Sequence, residues 1–221
     1  MFQHVPNILT GLRLVLAAVF FGMLAYYQHD VSGRHGEVLW LNVALIVYVV
    51  ALFTDFLDGF LARRWKVEGV FGRIVDPFVD KVLVLGSFIF FAGKNFTIPN
   101  QNPLEIPTNV KTITGVVPWM VVLILARELL VTSLRGSSEQ AGHSFAAAFS
   151  GKLKMVLQSI TILAVLLYVN YREQLRNWGW EQVAADLRNV LIWSMLAVTV
   201  GSGFLYVRRA VNLYHTAPPA S

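Results

Sequence analysis

The chain contains no cysteine, which excludes disulfides, thiolate nucleophiles and thiolate-held zinc. Charge is also scarce. Asp, Glu, Lys and Arg make up 14% of the 221 residues, against about 25% in a typical soluble domain. Apolar residues fill the gap, at 56% of the chain and a mean hydropathy of +0.58. That composition belongs to a membrane protein. Extended low-complexity tracts and repeats of fixed period are missing as well, so nothing marks a second domain. Residues 1–215 read as one helical membrane domain, and 216–221, the end of "HTAPPAS", as a disordered tail.

A hydrocarbon core of about 30 Å is crossed by roughly 20 helical residues. Six apolar runs approach that length, at 8–27, 38–61, 74–93, 116–134, 153–170 and 189–207. The first is too long for the apolar segment of a cleavable signal and reads as a retained helix. The expected fold is an all-α integral membrane protein with six transmembrane helices, whose even number places both termini on one side. Basic residues accumulate on the cytoplasmic side of membranes. Putting the termini there gives that side twelve of the eighteen Lys and Arg residues, Arg13 among them, and leaves six outside. The polar stretches 94–115 and 171–188 then become outer loops, the second with Trp178 and Trp180 at the interface. Because the basic residues flank spans, the net charge of +5 points to anionic lipids and substrates rather than nucleic acid.

Against this apolar background, "DFLDGFLARRWKVEGVFGRIVDPFVD" carries four aspartates. Asp55 and Asp58 are three residues apart, and Gly72, Asp76 and Asp80 recur every four, so each set lies along one face of a helix. Pro77 is tolerated near a helix start, which predicts that the third helix begins near Asp76. The connection of about ten residues predicts antiparallel neighbours with their carboxylates close together. Four carboxylates in a poorly solvated place repel unless protonated or neutralised. Divalent cations neutralise them, and an all-oxygen donor set favours magnesium, calcium or manganese. Gly59, Ala62 and Gly72 leave room for a large ligand, and Arg63 adds a charge suited to phosphate. Read without function, the aspartates cap and solvate helix ends and the glycines pack or turn. Ionisable residues within spans, however, are functional by default.

The ordered set Asp55, Asp58, Gly59, Ala62, Arg63, Gly72, Asp76 and Asp80 resembles, without a gap, the signature of the CDP-alcohol phosphotransferase family. The resemblance implies a six-helix membrane enzyme, usually a homodimer, that moves a phosphate-linked group from a CDP-linked donor to an alcohol and releases CMP. It implies two divalent cations, Mg2+ or Mn2+, held by Asp55, Asp58, Asp76 and Asp80, with Asp80 also the general base. It further implies that Asp55, Gly59, Ala62, Arg63 and Gly72 line the cytidine nucleotide.

The acceptor is to be read elsewhere, in "LARELLVTSLR" and "SGKLKMVLQ". Arg127 and Arg135 are eight residues apart, two helical turns, and Lys152 opens the next span. Together these three suit a clamp on a phosphate, with snorkelling toward lipid phosphates as the plain alternative for Arg135, Lys152 and Lys154. These segments and "VPNILTGLRLVL" resemble the branch of the family whose acceptor is glycerol 3-phosphate, with Met155 a departure where threonine is common. The implied partners are CDP-diacylglycerol, glycerol 3-phosphate and membrane lipids. The implied place is the bacterial inner membrane, with the active site facing the cytoplasm. The rivals are another acceptor, inositol phosphate or serine, a divalent-cation transporter, and a membrane prenyltransferase. A transporter calls for acidic residues spread over several spans near the midplane, and a prenyltransferase for aspartate motifs far apart in the chain.

Overall fold

A computed structural model describes residues 5–28, 35–65, 70–98, 111–140 and 149–216. For 5–7, 35–38, 59–65, 70–77, 80, 139–140, 149–152 and 213–216 it describes the backbone alone. Six α-helices cover these residues: α1 Val5–Tyr26, α2 His35–Trp65, α3 Val70–Phe91, α4 Pro118–Gln140, α5 Phe149–Asn177 and α6 Glu181–Thr216. Each overlaps one of the six apolar runs over most of that run's length.

Among the described residues, four stretches are long and apolar enough to cross a membrane: Ile8–Tyr26, Leu39–Asp58, Leu153–Asn177 and Glu181–Asn212. The protein is therefore integral to a membrane. Helix α3 adds a shorter apolar stretch, Lys81–Phe91. Its first half carries two of the motif aspartates, Asp76 and Asp80, and Arg127, Glu128 and Arg135 dilute the hydropathy of α4.

Side-chain pairs fix how α1 lies on its neighbours. The Trp40 indole N–H donates to the Met23 carbonyl at 3.0 Å, and the Phe20 and Tyr48 rings sit 5.2 Å apart. Seven residues back from Phe20 is Arg13, and seven on from Tyr48 is Asp55, which it meets; α1 and α2 run antiparallel. Against α3 the direction is parallel. Phe21 stacks on Phe90 at 5.6 Å, and the Asn95 amide, just past the end of α3, donates to the Ala25 carbonyl near the end of α1 at 2.8 Å. Among the described residues, α1 packs extensively on both α2 and α3, whereas direct packing of α2 on α3 is not one of the main interfaces. The two motif helices therefore run antiparallel to each other, as expected, and both are tied to α1.

Two expectations change. Helix α3 starts at Val70, so Pro77 lies inside it; the single backbone hydrogen bond that proline forgoes does not end the helix. The stretch 171–188 is no loop. Helix α5 continues to Asn177 and α6 opens at Glu181. The reversal is closed by the Trp180 N–H donating to the Leu175 carbonyl at 2.8 Å and the Gly179 N–H donating to the Arg176 carbonyl at 3.1 Å. This bond pair is the Schellman ending, and Gly179 takes the positive φ of 76° it requires. Arg172 donates to Glu181 across the turn at 2.8 Å.

The ends of the other polar stretch are pinned. A short 3-10 turn, Lys94–Phe96, and a bridge between Thr97 and Thr112 bring them together, with Phe96 buried against Tyr27 and Phe91. Residues 99–110 lie outside the described residues.

Close packing of α1 on α3 rests on Gly86, where an added Cβ would stand 2.3 Å from the tip of the Phe21 ring. That ring is held between Phe20 and Phe90 and has little room to yield. Gly86→Ala is expected to destabilise the protein by about 1–3 kcal/mol, the usual cost of overpacking, read as a lower thermal midpoint in detergent. Gly22→Ala, which meets nothing within 4 Å, is expected to leave the midpoint unchanged or slightly raised.

Candidate active site

Burial along α1 follows one stripe, Thr10, Arg13, Ala17, Phe20 and Leu24, at the three- and four-residue spacing of a helix face. Along α2 the stripe is Leu41, Ala44, Tyr48, Ala51, Thr54 and Asp58. A guanidinium and a carboxylate thus continue the apolar faces of two antiparallel helices, and they meet. Arg13 Nη1 lies 2.9 Å from Asp55 Oδ1, and Arg13 Nη2 lies 3.6 Å from Asp58 Oδ2. The Arg13 side chain is 1% exposed, that of Asp58 7% and that of Asp55 39%.

Helical register brings Asp80 to the same level. Phe21 of α1 stands beside Gly86 and Phe90 of α3, and the two helices are parallel. Eight residues back along α1 is Arg13, and eight back from Gly86 and Phe90 is the segment 78–82. The backbone of Asp80 is therefore level with Arg13 and, through it, with Asp55. Asp76 lies one turn further toward the start of α3. Gly59, Ala62 and Arg63 continue α2 beyond Asp58, and Gly72 lies in the first turn of α3. The side chains of Gly59, Ala62, Arg63, Gly72, Asp76 and Asp80 lie outside the described residues.

A second charged cluster joins α3, α4, α5 and α6 at this end. Arg127 Nη1 donates to Glu128 Oε1 at 2.9 Å, and Arg127 Nη2 to the Ser202 hydroxyl at 2.9 Å. The Arg127 guanidinium also stands 5.7 Å above the Tyr206 ring. Lys154 donates to the same Glu128 oxygen. One buried carboxylate oxygen so receives two cations, each otherwise expensive at this depth. Lys81 Nζ, next in sequence to Asp80, donates to the Thr132 hydroxyl at 2.7 Å, and that hydroxyl donates to the Glu128 carbonyl at 2.7 Å.

The proposed phosphate clamp is placed unevenly. Arg127 is buried and engaged with Glu128, Ser202 and Tyr206. Arg135 is half-buried one turn beyond Thr132, toward the level of Asp76 and Asp80, and its Nε finds no hydrogen-bond partner among the described residues. Lys152 lies in the first turn of α5, its side chain outside the described residues, while Lys154 reaches Glu128.

Arg13, Lys81, Glu128 and Lys154 are not among the site residues expected from the sequence, although Glu128 interrupts an apolar run and Lys154 opens a span. Arg13 carried a signal: it interrupts an apolar run in which an ionisable residue is functional by default, so assigning it to a basic flank understates it. Glu128 and Lys154 are 26 residues apart, and their pairing follows only from packing.

The chemistry of the donors fits a hard divalent cation. Asp55 and Asp58 offer only oxygen, at the spacing that places both on one helix face, and Asp55 keeps an exposed side. No set of three acidic or imidazole ligands converges among the described residues, which leave out the Asp76 and Asp80 carboxylates.

The sequence profile of the CDP-alcohol phosphatidyltransferase family matches residues 3–201. Similar proteins carry names from that family. One from Cereibacter sphaeroides, named CDP-diacylglycerol--glycerol-3-phosphate 3-phosphatidyltransferase, is 29% identical over 94% of this chain and 95% of its own. A Bacillus subtilis protein of the same name is 30% identical over 92% and 93%. A Mycobacterium tuberculosis protein named "Probable phosphatidylglycerophosphate synthase" is 33% identical over 95% and 82%. With aspartates gathered at one end of a helical membrane bundle, and a profile match over nearly its whole length, the chain belongs to the CDP-alcohol phosphatidyltransferase family.

Proposed function

We propose that the protein transfers the phosphatidyl group of CDP-diacylglycerol to glycerol 3-phosphate, giving phosphatidylglycerophosphate and CMP. The observation that carries this reading is the convergence of Asp55, Asp58 and the backbone of Asp80 at one level of the bundle, with the cations of α4 and α5 beside them. The names of the similar proteins support the acceptor.

In the reaction, the 1-hydroxyl oxygen of glycerol 3-phosphate attacks the diacylglycerol-bonded phosphorus. A new P–O bond forms as the phosphoanhydride bond to CMP breaks, and CMP leaves with the electron pair. Asp80 takes the hydroxyl proton. Asp55, Asp58, Asp76 and Asp80 would hold two divalent cations, Mg2+ or Mn2+, which when bound neutralise the pyrophosphate and the charge growing on CMP. Asp55, Gly59, Ala62, Arg63 and Gly72 receive the nucleotide. Arg135 and Lys152 hold the acceptor phosphate, and Arg127, fixed through Glu128 and Ser202, supports that site from α4.

All six helices cross the bilayer in this reading, with both termini and the motif end on the cytoplasmic face of a bacterial inner membrane. The donor's acyl chains stay in the bilayer while its headgroup meets a soluble acceptor at the helix ends. The far end, with Trp178 and Trp180 exposed, occupies the opposite interface. A homodimer is part of the same proposal.

Purified protein offered CDP-diacylglycerol with glycerol 3-phosphate, inositol phosphate or serine is expected to release CMP only with the first. Release with another acceptor alone would reassign the alcohol, and metal flux in liposomes without CMP release would favour a transporter. Asp80→Asn is expected to lower CMP release by about 10²–10⁴-fold while the protein stays folded in detergent; undiminished turnover removes the base assignment. Arg135→Ala is expected to raise KM for glycerol 3-phosphate by roughly tenfold or more, the loss of a charge-assisted hydrogen bond, with a smaller effect on the donor. An unchanged KM would take Arg135 out of the clamp.

A further inference from the structure

The site geometry assigns Arg13 a role that the aspartate motif does not contain: we propose that it is a resident counter-cation for Asp55 and Asp58, standing in for metal until metal binds. The inference rests on the metal-dependent reading of the site given above.

Three observations carry it. The Arg13 side chain is 1% exposed, yet it sits in an apolar helix where an unpaired guanidinium is costly, so its presence is tied to its partners. Its two terminal nitrogens address one oxygen of each carboxylate, at 2.9 Å and 3.6 Å, and so bridge the pair that opens the motif. Exposure is asymmetric as well: Asp58 is 7% exposed on the α1 side, while Asp55 is 39% exposed and reachable from outside. Arg13 therefore holds the carboxylates from behind and leaves an approach open in front, as outer partners orient the ligands of metal sites.

Charge balance gives the consequence. Without metal, Asp55 and Asp58 repel each other, and Arg13 is a cation fixed against both. With two divalent cations bound, the four carboxylates are neutralised without it. Arg13 thus matters most to the metal-free protein, which it keeps folded with the first ligand pair already aligned.

The test measures thermal unfolding of purified wild type, Arg13→Met and Arg13→Lys in chelator and in saturating Mn2+, with Mn2+ binding to wild type followed by electron paramagnetic resonance. Arg13→Met keeps much of the volume and removes the charge. Its midpoint is expected to fall at least about 5 °C below wild type in chelator and to recover more than half of that deficit in Mn2+, beyond the rise that binding gives wild type. Arg13→Lys is expected to stay close to wild type in both. An Arg13→Met deficit that Mn2+ does not reduce overturns the proposal while leaving the metal reading intact. So does an Arg13→Lys deficit as large as that of Arg13→Met, or failure of Arg13→Met to accumulate in Mn2+-supplemented cells when Arg13→Lys does. Absence of Mn2+ binding to wild type instead overturns the metal reading, and this inference with it.

Discussion

Ionised side chains inside hydrocarbon persist only where an opposite charge or a strong hydrogen-bond partner is fixed beside them, and the contact of Arg13 with Asp55 and Asp58 is where this protein meets that requirement first. The contact orders much else. It sets the register of α1 against α2, matched two turns away by Phe20 on Tyr48 and further on by Trp40 on the Met23 carbonyl. Since α3 packs along the same α1, it also sets the level at which Asp80 arrives.

The bundle is divided between its ends accordingly. At one end lie the carboxylates and the Arg127–Glu128–Lys154 network, each cation matched to an anion or a hydroxyl. The other end is closed by aromatic packing of Phe96 with Tyr27 and Phe91, by the Gly179 reversal and by the Arg188 guanidinium, which stacks 4.2 Å from the Tyr168 ring and donates to the Ile113 carbonyl. Chemistry needs room and charge, whereas a closed end needs neither. This division leaves the charged end open while the opposite end keeps the helices together.

Much of this was legible from the chain because its strongest signals are local. Six apolar runs became six helices, and the spacing of Asp55 to Asp58 and of Asp76 to Asp80 placed each pair on a helix. What was not legible depended on packing or on a competition between signals. The polarity of 171–188 masked two helices, although Gly179 marked the reversal, because polar residues at a helix end facing the interface resemble those of a loop. Pro77 misplaced the start of α3, since one lost hydrogen bond is weak beside the turns that flank it. The partnership of Arg127 with Ser202, 75 residues away, and of Glu128 with Lys154 has no sequence period to betray it.

The central claim is that the reaction site lies at the end of the bundle where α2 finishes and α3 starts. A chain without cysteine allows a spin label to be placed at one chosen position, so the distance from bound Mn2+ to a label can be read without interference. A label at the exposed Gly136, near the end of α4, is expected to lie closer to Mn2+ than one at Trp178, in the α5–α6 turn, by a distance on the order of the 30 Å hydrocarbon core. Equal distances, or Mn2+ nearer to Trp178, would contradict the account.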